Sequence, residues 1–138
     1  MASQSKKLIL DGIVTQISTA VAALKLVTDE MLHPTEISDG QFPACIVYDG
    51  GGTTDYYVTQ SISLYLNIFV QIIGDADTTS DGMRDLDEAI IDAINADVQI
   101  GGLCHKCLVA DESSLIHWDD TRKYHTRRYI CEYRRDVP

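Results

Sequence analysis

Between Lys7 and Leu24 the apolar residues Leu10, Ile13, Val14, Ile17, Val21 and Leu24 recur every three or four positions. That spacing lays them along one face of a helix. It predicts an amphipathic helix that ends before His33-Pro34, because the residue ahead of a proline is pushed out of the helical region. Gly12 and the β-branched Thr15, Thr19 and Val21 weaken its intrinsic propensity, so packing of the apolar face must hold it. A polar connector follows from Thr28 to Gln41. Phe42-Pro43-Ala44-Cys45-Ile46-Val47-Tyr48 then reads as a short strand, with Pro43 at its start where a missing N–H does least harm. The run Asp49 to Asp55, with Gly50, Gly51 and Gly52 at its centre, reads as a flexible loop or wide turn between two strands.

From Ser61 to Ile73 the period changes to two: Ile62, Leu64, Leu66, Ile68, Val70 and Ile72 alternate with more polar positions, the mark of a strand with one aliphatic face. Tyr65 and Phe69 stand on its other face, and two aromatics there predict cover by a neighbouring subunit. An acidic loop, Gly74 to Gly82, offers Thr79, Ser80 or Asp81 as a cap for a second helix. In that helix Met83, Leu86, Ala89, Ile90, Ala93 and Ile94 form the apolar stripe, and Asp85, Asp87, Glu88 and Asp92 are expected to face water. Gly101-Gly102 turns the chain back. Leu103 to Trp118 and Tyr124 to Arg135 close it as an antiparallel hairpin, with Tyr129, Cys131 and Tyr133 on one face of the last strand and Arg128, Ile130, Glu132 and Arg134 on the other. The order helix-strand-strand-helix-strand-strand predicts an α+β fold: an antiparallel four-stranded sheet with two helices packed on one face, in a single domain over residues 1–138.

Charge divides this domain unevenly. The last eighteen residues carry six Arg/Lys against two carboxylates, and the 120 before them carry five against nineteen, so a net charge of −10 is about +4 at the C-terminal end and −14 elsewhere. Acidity overall disfavours a protein whose main task is to grip phosphates. The basic strand leaves two readings open. Its arginines block unwanted edge pairing, or Arg127, Arg128, Arg134 and Arg135 meet carboxylates of a neighbouring copy in a heterologous contact, which closes a ring when its rotation closes. Asp11 and Gly12 cut the N-terminal apolar run below signal-peptide length, and Asn67 and Gln71 interrupt the greasiest segment, so a soluble protein made in a cytoplasm and without membrane contact is expected.

Site chemistry is sparse. Cys104-His105-Lys106-Cys107 has the spacing that opens many zinc sites, but no second half follows, and Cys45 and Cys131 are isolated. The cysteines also read as small buried hydrophobes. His33, His105, His117 and His125 have no nucleophile signature beside them, although His117 and His125 flank the hairpin turn. The glycine run lacks the lysine and helix of a phosphate loop, and Asp75, Asp77 and Asp81 lack the closing glutamate of a calcium loop. No catalytic residue, cofactor site or metal site is expected.

Over residues 10–135 the order of segments resembles the small tail terminator or tail completion proteins, minor tail proteins of tailed bacteriophages. The resemblance rests on Phe42 to Tyr48, the strand ending Ile68-Phe69-Val70-Gln71, the helix Leu86-Asp87-Glu88-Ala89-Ile90-Ile91-Asp92-Ala93-Ile94, Gly101-Gly102, and Tyr129-Ile130-Cys131-Glu132-Tyr133-Arg134. It implies a structural virion protein without enzymatic activity. Such a subunit assembles in the host cytoplasm into a hexameric ring at the neck-proximal end of the tail, caps the tail tube, ends elongation and joins the tail to the head connector. Its partners are then its own copies, the tail tube protein and the head-tail connector protein, and DNA passes through the lumen without specific binding. On this reading Arg127, Arg128, Arg134, Arg135, Tyr65 and Phe69 serve the subunit interface. Two acidic loops carrying Asp49, Asp55, Asp75, Asp77 and Asp81 line the lumen or face partners. A head-tail connector or neck protein of the same virion is the alternative, and a small zinc-binding regulatory domain using Cys104 and Cys107 is a third class.

Overall fold

Helix α1 spans Lys6–Ala20, and its spacing of four sends Ile9, Ile13 and Ile17 into the core while Leu8 stays exposed. The computed structural model describes residues 5–56, 61–75, 77–110, 115–119 and 122–136, with backbone alone at 52–56, 61–63, 115–119 and 135–136. Helix α2 spans Ser80–Ala96 and is capped by Thr79, whose Oγ1 accepts from the Gly82 N–H at 3.0 Å. Gln16 of α1 binds α2 by donating its side-chain N–H groups to the carbonyls of Ala93 at 2.8 Å and Asp97 at 3.0 Å. The Ala93 carbonyl is one that the end of a helix leaves without a partner of its own, whereas the Asp97 carbonyl also accepts from the Ile100 N–H at 3.1 Å.

The sheet departs from the antiparallel four-stranded expectation. Among the described residues it contains β1 (Leu26–Thr28), β2 (Ala44–Tyr56), β3 (Ser61–Gly74), β4 (Lys106–Val109), β5 (Leu115–Asp119) and β6 (Arg122–Asp136), in the order β1-β2-β3-β6-β4 with β5 also on β6. Because β3 occupies one edge of β6 from Lys123 to Asp136, β4 and β5 lie end to end along the other edge. The sheet is therefore five strands wide and mixed, since β1 pairs with β2 in parallel, Leu26 opposite Ala44. A three-residue strand has too few positions for its alternation to be read, and α1 stops at Ala20, which frees this segment to pair. A parallel pair needs a crossover. The chain from Asp29 to Pro43 makes it over the face opposite the helices, with short 3-10 turns at Pro34–Glu36 and Asp39–Gln41.

The glycine run is not a loop. It lies inside β2, where Asp49 opposite Ile68 is followed by Gly52 opposite Leu66, so one extra residue makes a β-bulge. Gly51 takes a φ of 86°, and a Cβ on Gly50 would overlap the Phe69 ring. The predicted strand Leu103 to Trp118 is likewise broken into β4 and β5.

One large core lies between the helices and the sheet. Ile9, Ile13, Ile17, Met83, Leu86, Ile90 and Ile94 meet Cys45, Val47, Leu66, Ile68, Val70, Ile72, Tyr129 and Cys131. A smaller cluster on the opposite face joins Ile37 and Phe42 of the crossover to Ala44, Ile46, Ile73 and Tyr124. Arg122 pins this cover, its guanidinium 3.9 Å from the centre of the Phe42 ring and 3.6 Å from Asp39. The crossover thus shields only the end of the sheet at the start of β2. Ile13→Ala is expected to cost about 2–5 kcal/mol because it leaves a cavity in the large core, whereas Leu8→Ala should stay within about 0.5 kcal/mol. Urea unfolding midpoints measure both.

Candidate functional site on the helix-free face of the sheet

Alternation along β6 decides which face each side chain serves. Arg127, Tyr129, Cys131 and Tyr133 stand opposite Val70, Ile68, Leu66 and Leu64 and point toward the helices. Arg128, Ile130, Glu132 and Arg134 stand opposite Phe69, Asn67, Tyr65 and Ser63 and point away from them. Beyond the crossover, no helix among the described residues lies on this second face. Its centre is apolar, with Ile130 at 38% and Leu108 at 43% exposure, and Leu108 lies directly opposite Ile130. A depression of about 350 Å³ opens there, between Tyr65, Leu108, Ile130, Lys106 and Glu132.

At one side Phe69 stacks on Tyr48 with ring centres 5.5 Å apart, an arrangement that a side chain at position 50 would prevent. Arg128 reaches the Asn67 side-chain oxygen at 3.3 Å. Lys106, Arg128 and Arg134 surround the apolar centre, and Glu132, 8% exposed, is the carboxylate among them. Tyr65, Phe69, Arg128 and Arg134 of the sequence-predicted interface thus come together on one surface. Arg135 falls where side chains lie outside the described residues.

Arg127 is on the other side of the sheet. It grips Asp87 of α2 with two nitrogens, Nε at 2.8 Å from Oδ1 and Nη2 at 2.9 Å from Oδ2. The Asp87 side chain is 8% exposed. The expectation that Asp87 faces water is therefore corrected: it follows Met83 by four residues and precedes Ile90 by three, which puts it on the buried flank of the helix. Its bond raises the Arg127 pKa. His125, 1% exposed, has its Nδ1 3.7 Å from the same carboxylate, and burial lowers its pKa below the ordinary 6.5 against the pull of Asp87. Tyr129 lies close by, its phenol pushed up by burial. In register His125 is opposite Ile116, so the two hairpin histidines do not pair.

Three of the cysteines converge. Cys107 is opposite Cys131 across β4 and β6, and Cys104, whose free thiol donates to the Val98 carbonyl at 3.6 Å, lies beside Cys131. All three are at most 2% exposed. Cys45, in the same core, is pushed up to about 12 by burial. The Cys45, Cys104 and Cys131 thiols, all with raised pKa, are held in the protonated form and so are poor nucleophiles. Among the described residues no group of three or more His, Cys, Asp or Glu is placed to hold a metal ion.

The predicted acidic loops separate. Asp49 is in β2, paired with Lys6 at 3.0 Å. Asp55 lies in the same strand, and its side chain is outside the described residues. Asp75 accepts from the Asp77 N–H at 3.1 Å and from the Thr78 hydroxyl at 3.0 Å, which folds the turn that leads into α2. Asp77 and Asp81 are exposed, and Asp81 is 2.8 Å from Arg84.

Because His125 is neutral when folded and its folded pKa lies below 6.5, the unfolded chain binds the extra proton as the pH drops past that value, and stability falls. The wild type should lose more stability than His125→Gln between about pH 7 and pH 5. Urea titrations at several pH values measure the difference, and equal slopes for the two proteins would contradict it. In comparison with known proteins, neither a family model nor a curated sequence matches this chain.

Proposed function

We propose that this chain is a structural virion protein of a tailed bacteriophage, a subunit that closes into a ring on the neck-proximal end of the tail tube. The observation that carries the reading is the helix-free face. An apolar centre of Leu108 and Ile130 surrounded by Lys106, Arg128 and Arg134 has the composition of a protein-binding surface. The order of segments supplies the virion context through its resemblance to tail terminators.

The mechanism is occlusion and matching. One side of the ring complements the last ring of the tail tube and so ends elongation, and the other side presents a surface to the head connector. Two different patches that meet between copies generate a ring when the rotation closes, six copies being the number the resemblance implies. The exposed carboxylate of Asp77, on the turn that half-buried Asp75 folds, fits a lumen that repels DNA phosphates and lets the duplex slide.

Light scattering after size exclusion, with negative-stain imaging of the eluted particles, tests the reading. Rings of about six copies are expected. A chain that stays monomeric at the highest attainable concentration contradicts it.

A further inference from the structure

The proposed ring needs two different surfaces on each copy, and the fold carries a complementary pair on opposite sides of its sheet. We propose that the acidic outer stripe of α2 in one copy lies on the helix-free face of β3, β6 and β4 in the next. This rests on the ring reading and adds to it which faces meet.

The stripe is Asp85, Glu88 and Asp92, at helical spacings of three and four, all exposed. They occupy one side of the helix over ~10 Å. The neighbouring Arg84 is engaged by Asp81 at 2.8 Å. Among the described residues none of the three stripe carboxylates has an ion-pair partner.

The receiving face carries the opposite charge over a longer span than the stripe, so that the cations bracket it. Arg128 and Arg134 lie six positions apart on the same side of β6, about 20 Å at strand rise. Lys106 lies between them along the strand direction, on β4 opposite Glu132. The apolar ground between these cations is Leu108, Ile130 and the depression beside Tyr65, on the side of the sheet opposite the one that α1 and α2 cover.

The two surfaces face opposite ways. In each copy α2 packs on the side of the sheet that buries Val70 and Tyr129, and the basic face is the other side. The contact is therefore heterologous, helix to sheet to helix, and leaves one free surface of each kind on any open chain of copies. Closure satisfies both.

Charge reversal separates this interface from the ring reading. Asp85→Lys, Glu88→Lys and Asp92→Lys combined alter only exposed helix positions, and circular dichroism confirms that the variant is folded. Its self-association is expected to weaken at least about a hundredfold, because like charges then meet across the contact. Arg128→Glu with Arg134→Glu should fail to self-associate in the same way, and mixing the two variants should restore a contact between unlike copies. Wild-type rings together with unchanged rings of the helix variant would overturn the interface and leave the ring standing. A wild type that never assembles would overturn both.

Discussion

The antiparallel ladder between β3 and β6 determines nearly everything else in this structure. It runs from Ser61 opposite Asp136 to Gly74 opposite Lys123 without a break in register. A slip of one residue in β6 would leave Ile68 and Val70 facing the helices but send Tyr129 and Cys131 to the outside and Arg128 and Glu132 under the helices. The cost of burying those charges without partners makes the register exclusive. Both the core and the basic face are consequences of the same parity.

Parity also explains why adjacent arginines have different roles. Arg127 faces α2 and meets a carboxylate buried with it, so it fixes the helix on the sheet. Arg128, one residue on, faces away and belongs to the surface. A buried pair of this kind is weak evidence for net stability, yet removing either member leaves a charge that the interior does not solvate. His125 and Tyr129 stand beside the same pair in neutral form.

Much of this was legible in the chain. The three- and four-residue spacing of Leu10, Ile13, Val14 and Ile17, the alternation from Ile62 to Ile72 and the stripe from Met83 to Ile94 each name their element, since helix and strand have different periods; Ile9, fully buried, is missing from that first stripe. What stayed hidden has physical reasons. Leu26-Val27-Thr28 is too short to show a period, so a helix expected to end only before His33-Pro34 takes in Leu26 and Val27, and Thr28 falls to the connector. Glycine is the usual residue of turns, and only the position of the Phe69 ring reveals why Gly50 stands inside a strand. The basic strand invited grouping of its arginines by sequence, whereas alternate positions serve opposite faces. Asp87 could have been found from its place between Met83 and Ile90, had helical position been weighed above charge. The meeting of Cys104, Cys107 and Cys131 depends on the register of β4 against β6, and the sequence pattern does not fix it.

The account finally depends on whether copies of this chain join helix to open sheet. Zero-length carbodiimide coupling tests this directly, because it condenses a lysine ammonium with a carboxylate only where the two touch. In a mixture of isotopically light and heavy protein, mass spectrometry should find amide bonds from Lys106 of one copy to Asp85, Glu88 or Asp92 of another. Coupling confined to pairs within a single copy, in a sample that has assembled, would contradict the account.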